Sequence, residues 1–318
     1  MDSAAFRLDP ALLRLRANRA AARYDEADFL AREVAQRMDE RLDCIRYTPR
    51  RILDLGCGTG ADLARLGERY PAATRIGLDF AAAMLERART RLAPERGSWQ
   101  PWQLRQLRQL WQRLCARYRS APPALTLLAA DARRVPLADA SVSLIWSNLT
   151  LPLIDAPHML FAELHRTLEP GGLLMFSTLG PDTLRELRAA LPARSGGGHV
   201  HHFTDMHDLG DALIQAGFTD PVLDMEMLTL TYSTLDLLLA DLRANGATNA
   251  ATHRARRLSR ADWAAARAHY ERLRRDGVLP ASVEIIQGHA WKSAHRPAPD
   301  TLADGRAIVR FHPRRASQ

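Results

Sequence analysis

The stretch ILDLGCGTG at residues 52–60 constrains this chain more than any other. Ile52, Leu53 and Leu55 form an apolar run broken only by Asp54, and the run passes directly into a turn carrying Gly56, Gly58 and Gly60. Glycine at those places gives the backbone positive φ and lets it approach a neighbour closely. A helix is expected to open near Ala61, leaving its first amides facing whatever lies above the turn. Strand, glycine turn and helix in that order predict an open α/β sheet.

The rest of the chain repeats the same texture. Short apolar runs at 52–55, 75–78, 125–129, 142–146 and 173–177 alternate with amphipathic helical stretches, which predicts five parallel strands in a doubly wound sheet. A sixth strand is expected over 221–232, and a seventh over 282–291, antiparallel at the sheet edge. The expected fold is therefore α/β, with a mostly parallel, seven-stranded Rossmann-like sheet. Residues 204–217 read as a helix capped by Thr204 and stopped by Gly217. Helical patterns at 234–244 and 260–275 have no place in the sheet and predict a lid. Helical spacing across 8–42 predicts a cap before the sheet begins. The expected organisation is a cap over 1–48, a main domain over 49–292 and a tail over 293–318, with a basic helical insertion at 97–123 and lid helices within 233–280.

At 318 residues and 47% hydrophobic, the chain can fill one α/β domain with embellishments. No stretch reaches about 18 uncharged apolar residues, and residues 1–10 carry charge, so neither a membrane span nor a signal peptide is expected. Cys44, Cys57 and Cys115 have no metal-type spacing and, being odd in number, cannot form a closed disulfide set, which fits a reducing cytoplasm. His199, His201, His202 and His207 sit beside a glycine run without a matching Cys or carboxylate set, so no metal is expected. The net charge of +8, carried mainly by arginine, points to an acidic partner.

A glycine turn alone leaves the ligand open, since Gly56, Gly58 and Ala61, with Asp79 further on, also satisfy the looser dinucleotide pattern. Asp54 separates the two. A carboxylate pointing into the turn suits an ammonium group and repels a pyrophosphate, which favours S-adenosylmethionine. Asp79 ends the second strand, where it can accept from ribose hydroxyls, with Phe80 and Met84 beside it to cover a base. Asp131 and Ala132 follow the third strand, one to accept from an exocyclic amine and one to offer a backbone amide. Asn148, at the end of the fourth strand, can bond the cofactor or the substrate, or cap a turn.

DLGCGTG, Asp79, Asp131 and LEPGG at 168–172, in this order, resemble the class I S-adenosylmethionine-dependent methyltransferases over about residues 50–177. The segments SNLT at 147–150, STLGPDTLRELR at 177–188, FTDMHDLGD at 203–211, MEMLTLTY at 225–232 and AARYD at 21–25 resemble the biotin-pathway malonyl-acyl-carrier-protein O-methyltransferases. The insertion at 97–123 and the end of the chain depart from that pattern. The resemblance implies methyl transfer to the free carboxylate of a malonyl thioester, giving an ester that can be elongated toward pimelate. A carboxylate with a reference pKa near 4 is already ionised at neutral pH, so this chemistry requires no catalytic base. Rate must come from alignment and from exclusion of water. An arginine gripping the attacking oxygen would favour the ground state, because the negative charge is vanishing there.

Arg185 and Arg188 are candidates for the malonyl group or its carrier, and Tyr24 for folding over the cofactor or donating to the carboxylate. The implied partner is malonyl-acyl-carrier protein, an acidic protein. The insertion, with Trp99, Trp102, Trp111 and five arginines including Arg105 and Arg108, is a candidate docking helix. A second resemblance, to a mitochondrial complex I assembly factor that modifies a partner's arginine, shares the same cofactor motifs. Nucleic acid is not an expected partner, because no base-handling motif or RNA-binding module accompanies the charge.

Overall fold

The computed structural model describes residues 7–93, 124–192, 199–252 and 258–294. The insertion at 97–123, with Arg105 and Arg108, and the tail beyond 294 lie outside the described residues.

Seven strands form one sheet: β1 (Arg51–Leu55), β2 (Thr74–Asp79), β3 (Leu125–Ala129), β4 (Val142–Ser147), β5 (Leu168–Leu179), β6 (Phe218–Tyr232) and β7 (Leu279–Lys292). Their order is β3-β2-β1-β4-β5-β7-β6, with β1 to β5 parallel and β7 antiparallel to both its neighbours. The order reverses between β1 and β4, which opens the crevice where such sheets bind ligands.

The described helices are α1 (Pro10–Ala20), α2 (Tyr24–Ala27), α3 (Phe29–Leu42), α4 (Ala61–Arg69), α5 (Ala82–Arg91), α6 (Pro157–Thr167), α7 (Arg185–Ala190), α8 (Met206–Gln215), α9 (Leu235–Ala244) and α10 (Arg260–Glu271).

Alternation along the strands divides the core into two layers. Leu53, Leu55, Ile145, Leu174 and Phe176 face α6 and α8 through Leu160, Phe161, Leu164, Leu209 and Leu213. Ile52, Leu144, Trp146, Leu173 and Met175 face α3 through Val34, Ala35, Met38 and Leu42, residues spaced to share one helix face. The strands with helices on both faces read as near-continuous apolar runs for that reason.

Three expectations are corrected. The strand expected at the edge, β7, lies inside the sheet between β5 and β6, and β6 takes the edge. The physical reason is burial: β7 is buried along nearly its whole length, whereas β6 alternates between covered and exposed side chains. The helical run over 8–42 is broken into three, beginning where the Asp9 carboxylate accepts from the amides of Ala11 and Leu12. Helix α8 is capped by Asp205, which accepts from His207 N at 2.8 Å, and not by Thr204. Asp and Thr are both good caps, and the one-residue difference is set by where the chain turns extended.

Phe161 is fully buried, with its ring 5.5 Å from Phe176 and 6.5 Å from Phe218. Phe161→Ala should lower stability by about 3–5 kcal/mol through lost transfer energy and the cavity left behind, which urea unfolding of the purified chain would measure.

Candidate active site

The carboxyl ends of β1, β2 and β4 open onto a cavity of about 230 Å³. Its floor is the glycine turn and its walls come from α1, α3 and α9, through Leu13, Ala17, Phe29, Leu30, Leu238 and Leu242. Two lobes of about 50 Å³ each share its walls: one runs past Phe80, Asp131 and Ala132, the other past Asp54, Thr59 and Asp62.

The turn is held from three sides. Gly56 N and Cys57 N donate to Leu78 O at 2.7 and 3.0 Å, and Gly58 N donates to Asp79 Oδ2 at 3.0 Å. Thr150 Oγ1 donates to Leu55 O at 2.9 Å and packs so closely that a methyl group at Gly56 would lie 2.1 Å from it. Gly58 differs: at φ +51 a methyl group there would meet nothing within 4 Å. That open space above the backbone is room for a ligand.

Three carboxylates gather beneath this turn. Asp54 is 2% exposed, and its Oδ2 has no partner among the described residues. Burial, with Asp62 and Asp79 nearby, pushes its carboxyl well above the ordinary range. Asp62, in the first turn of α4, accepts from Trp146 Nε1 at 2.8 Å and Asn148 Nδ2 at 3.1 Å, and burial pushes it up as well. Asp79 accepts from Gly58 N and, at 2.7 Å, from Ala81 N; burial raises its carboxyl while these amides hold it down. Crowding buried acids without a cation is costly, so the group is suited to receive a positive charge.

The other sequence-derived residues divide clearly. Gly60, at φ +81, starts α4 and packs on Ala88 and Leu92. Met84 is buried beside Ala20, Ala21 and Ala81 and lines the large cavity, and Phe80 lines it while packing on the cluster of Leu8, Leu13 and Ala250. Asp131 lines a lobe with Ala132, and its carboxylate is gripped by Arg133 at 2.7 Å, whose hydrogen bonds hold it below the usual range.

Asn148 is engaged within the protein: it donates to Ala31 O at 2.9 Å and to Asp62, and accepts from Ser177 Oγ at 2.8 Å. Tyr24 lines the cavity and the Asp54 lobe; burial, then the charge of Asp28, pushes its phenol far up. Arg185 is exposed on α7 near Asp182 and Glu186 and is not a cavity residue. Arg188 braces the backbone carbonyls of Pro181, Thr183 and His201. Among the described residues no cluster of three metal-type ligands occurs.

Sequence reading missed Asp62, Thr150 and the Tyr232–Asp241 pair, joined at 2.7 Å, although all but Thr150 needed the fold to reveal them. Thr150 follows the strand-end segment already singled out. Leu149 and Leu184, both at positive φ, also line the cavity, and such strain in non-glycine residues clusters where function holds it. Among the described residues lining the large cavity, none is Arg, Lys or His.

Residues 53–176 match the family described as "Methyltransferase domain". The chain is 45% identical, over 97% of its length and 98% of theirs, to a malonyl-[acyl-carrier protein] O-methyltransferase of Laribacter hongkongensis (strain HLHK9). It is 45% identical to one of Gallionella capsiferriformans (strain ES-2) over 96% of this chain and 97% of that one. A solved structure of a methyltransferase candidate from Bacillus halodurans C-125 shares the fold, with a TM-score of 0.50 and 14% identity over 82% of this chain and 99% of that one.

The two glycines should separate ligand binding from stability. Gly58→Ala should weaken S-adenosylhomocysteine binding at least tenfold by calorimetry, because its methyl takes the open space above the turn, and should lower the melting temperature only through the strain of its positive φ, about 1–2 kcal/mol. Gly56→Ala, which drives a methyl into Thr150, should lower the melting temperature by several degrees.

Proposed function

Because the chain belongs to the malonyl-[acyl-carrier protein] O-methyltransferase family, we propose that it methylates the free carboxylate of malonyl-acyl-carrier protein, giving the methyl ester that starts pimeloyl synthesis for biotin. The observation that carries this reading is identity sustained over nearly the full length of these relatives, including helices α1, α3 and α9 that wall the cavity. The cofactor is S-adenosylmethionine. As part of the same proposal the reaction is cytoplasmic; no described helix is long and apolar enough to cross a membrane.

The residues present fit that cofactor. Asp54, with an unpartnered buried oxygen among acids, suits its ammonium group, and Gly58 leaves room above the turn. Asp79 keeps a second lone pair on each oxygen for ribose hydroxyls. Phe80 and Met84 would flank the adenine, with Asp131 and Ala132 at its edge, while Gly56 and Gly60 shape the turn and Asn148 holds Asp62 in place. When bound, S-adenosylmethionine supplies an electrophilic methyl group on a sulfonium centre.

The chain's own work is then to orient a carboxylate and keep water away. A large cavity with no basic side chain among its described lining residues suits a nucleophile that arrives already ionised. It also leaves the attacking oxygen unclamped, so no guanidinium deepens the ground state. Tyr24 stays protonated, since burial and the nearby acids raise its phenol, and it makes no hydrogen bond with a described side chain. We assign it the hydrogen bond to the malonyl carboxylate. Tyr232 gives its proton to Asp241 and can only accept. Arg185, exposed on α7, is proposed to reach the carrier-bound substrate outside the cavity, and Arg105 and Arg108 of the insertion remain candidates for contact with the acidic carrier protein.

The direct test incubates the pure chain with labelled S-adenosylmethionine and malonyl-acyl-carrier protein, with acetyl-acyl-carrier protein as control. Malonyl methyl ester by mass spectrometry on the malonyl carrier alone is the expected product; no ester despite cofactor binding would refute the reading. Tyr24→Phe should lower kcat about tenfold, and unchanged kinetics would remove its donor role. Asp54 gives a pH signature. An ammonium favours its ionised form, so binding lowers its raised pKa and expels a proton. Cofactor affinity should therefore rise with pH through the free-state pKa and level off above it, whereas adenosine, lacking the amino acid, should show little slope.

A further inference from the structure

We propose that the outer face of helix α1 is the docking surface for the acidic carrier protein that delivers the malonyl group, an inference that rests on the function given above.

Residues 10–24 contain Arg14, Arg16, Arg19 and Arg23 and no acid. Helical spacing sorts this segment into two faces. Leu13 and Ala17 turn inward and line the large cavity. Leu15 and Arg19 turn outward and are exposed, as is Arg23 just beyond the helix.

Arg19 and Arg23 make no hydrogen bond or salt bridge among the described residues. Arg37, Arg41, Arg166, Arg267 and Arg274, by contrast, are each neutralised by a neighbouring carboxylate. Leu15, 45% exposed, sits among these uncompensated charges. An apolar centre with a cationic rim is the complement of an acidic helix face: the rim steers encounter and the leucine gains from burial.

The helix is also a firm platform. Asp9 N donates to Ala250 O at 2.8 Å, Arg16 Nη1 donates to Thr248 O at 2.7 Å, and Asn18 Oδ1 accepts from Ala83 N at 2.9 Å. Little ordering remains to be done when a partner arrives. Since the inner face of α1 is a wall of the cavity, a carrier seated on the outer face stands about one helix diameter, roughly 10 Å, from the reaction space. A flexible acyl arm spans that distance.

The test measures binding of malonyl-acyl-carrier protein to the full chain by surface plasmon resonance, alongside the ester assay. Arg14 is left alone because it lines the cofactor lobe. The double variant Arg19→Glu/Arg23→Glu should weaken carrier binding at least tenfold and raise KM for the carrier substrate in parallel, with cofactor affinity and melting temperature held. Arg19→Gln/Arg23→Gln should fall between, and the wild type should lose affinity with salt more steeply than either. Carrier binding unchanged in the charge-reversed chain overturns the proposal, as does a loss seen only with Arg105→Glu/Arg108→Glu. If the wild type makes no ester yet binds the carrier through Arg19 and Arg23, the surface stands and the assigned reaction falls. If it makes ester while the variants bind normally, the reaction stands and the surface falls.

Discussion

The ligand end of this protein depends on how one turn is anchored. Gly56 and Cys57 donate to the Leu78 carbonyl, Gly58 donates to the Asp79 carboxylate, and Thr150 bonds the Leu55 carbonyl while filling the space beside Gly56. These contacts tie the ends of β1, β2 and β4 together across the point where the strand order reverses. The amides of Gly56, Cys57 and Gly58 are satisfied by the second strand, so the shape of the turn does not wait for a ligand. The cavity above it is consequently preorganised, and the position of Asp79 is fixed by the same bond that fixes Gly58.

Under that turn the electrostatics run against stability. Asp54 and Asp79 are buried close to the half-buried Asp62, and desolvation raises the carboxyl of each. Asp62 and Asp79 recover part of the cost through hydrogen bonds, from Trp146 and Asn148 in one case and from backbone amides in the other. Asp54 has no such relief at Oδ2. The imbalance singles out Asp54 as the group that gains most from a cation, while its neighbours are held rigidly enough to shape the field around it.

Much of this was legible locally. The strand, the three glycines and the acids after β1, β2 and β3 announce themselves because each acts through its own backbone position. What the sequence hid is non-local. Leu13 and Ala17 near one end of the chain and Leu238 and Leu242 near the other become walls of one cavity only after the chain closes on itself. The edge position of β6 was legible in principle, since Leu223, Met225 and Met227 alternate with acids in one-sided fashion, but strand order depends on pairings far apart in sequence. Asn148 illustrates a different limit. Its residue type fits several roles, and only its partners, Ala31, Asp62 and Ser177, distinguish bracing the site from contacting a ligand.

The roof over the cavity joins these distant pieces through backbone amides, one of which donates to a side chain. Leu8 bridges to Ala251, Thr252 N donates to Arg7 O at 2.6 Å, and Ala250 N donates to His201 Nε2 at 2.7 Å. Burial pulls His201 down to about 4, so the ring stays neutral near pH 7 and keeps the lone pair that accepts this bond. The roof therefore brings no positive charge to the cavity from His201 at working pH. A reaction in which opposite charges meet and cancel gains from such walls: outside, guanidinium groups can attract an acidic partner, and inside, a mostly apolar lining lets two charges approach with little water to stabilise them apart. Helix α1 carries both tasks on opposite faces.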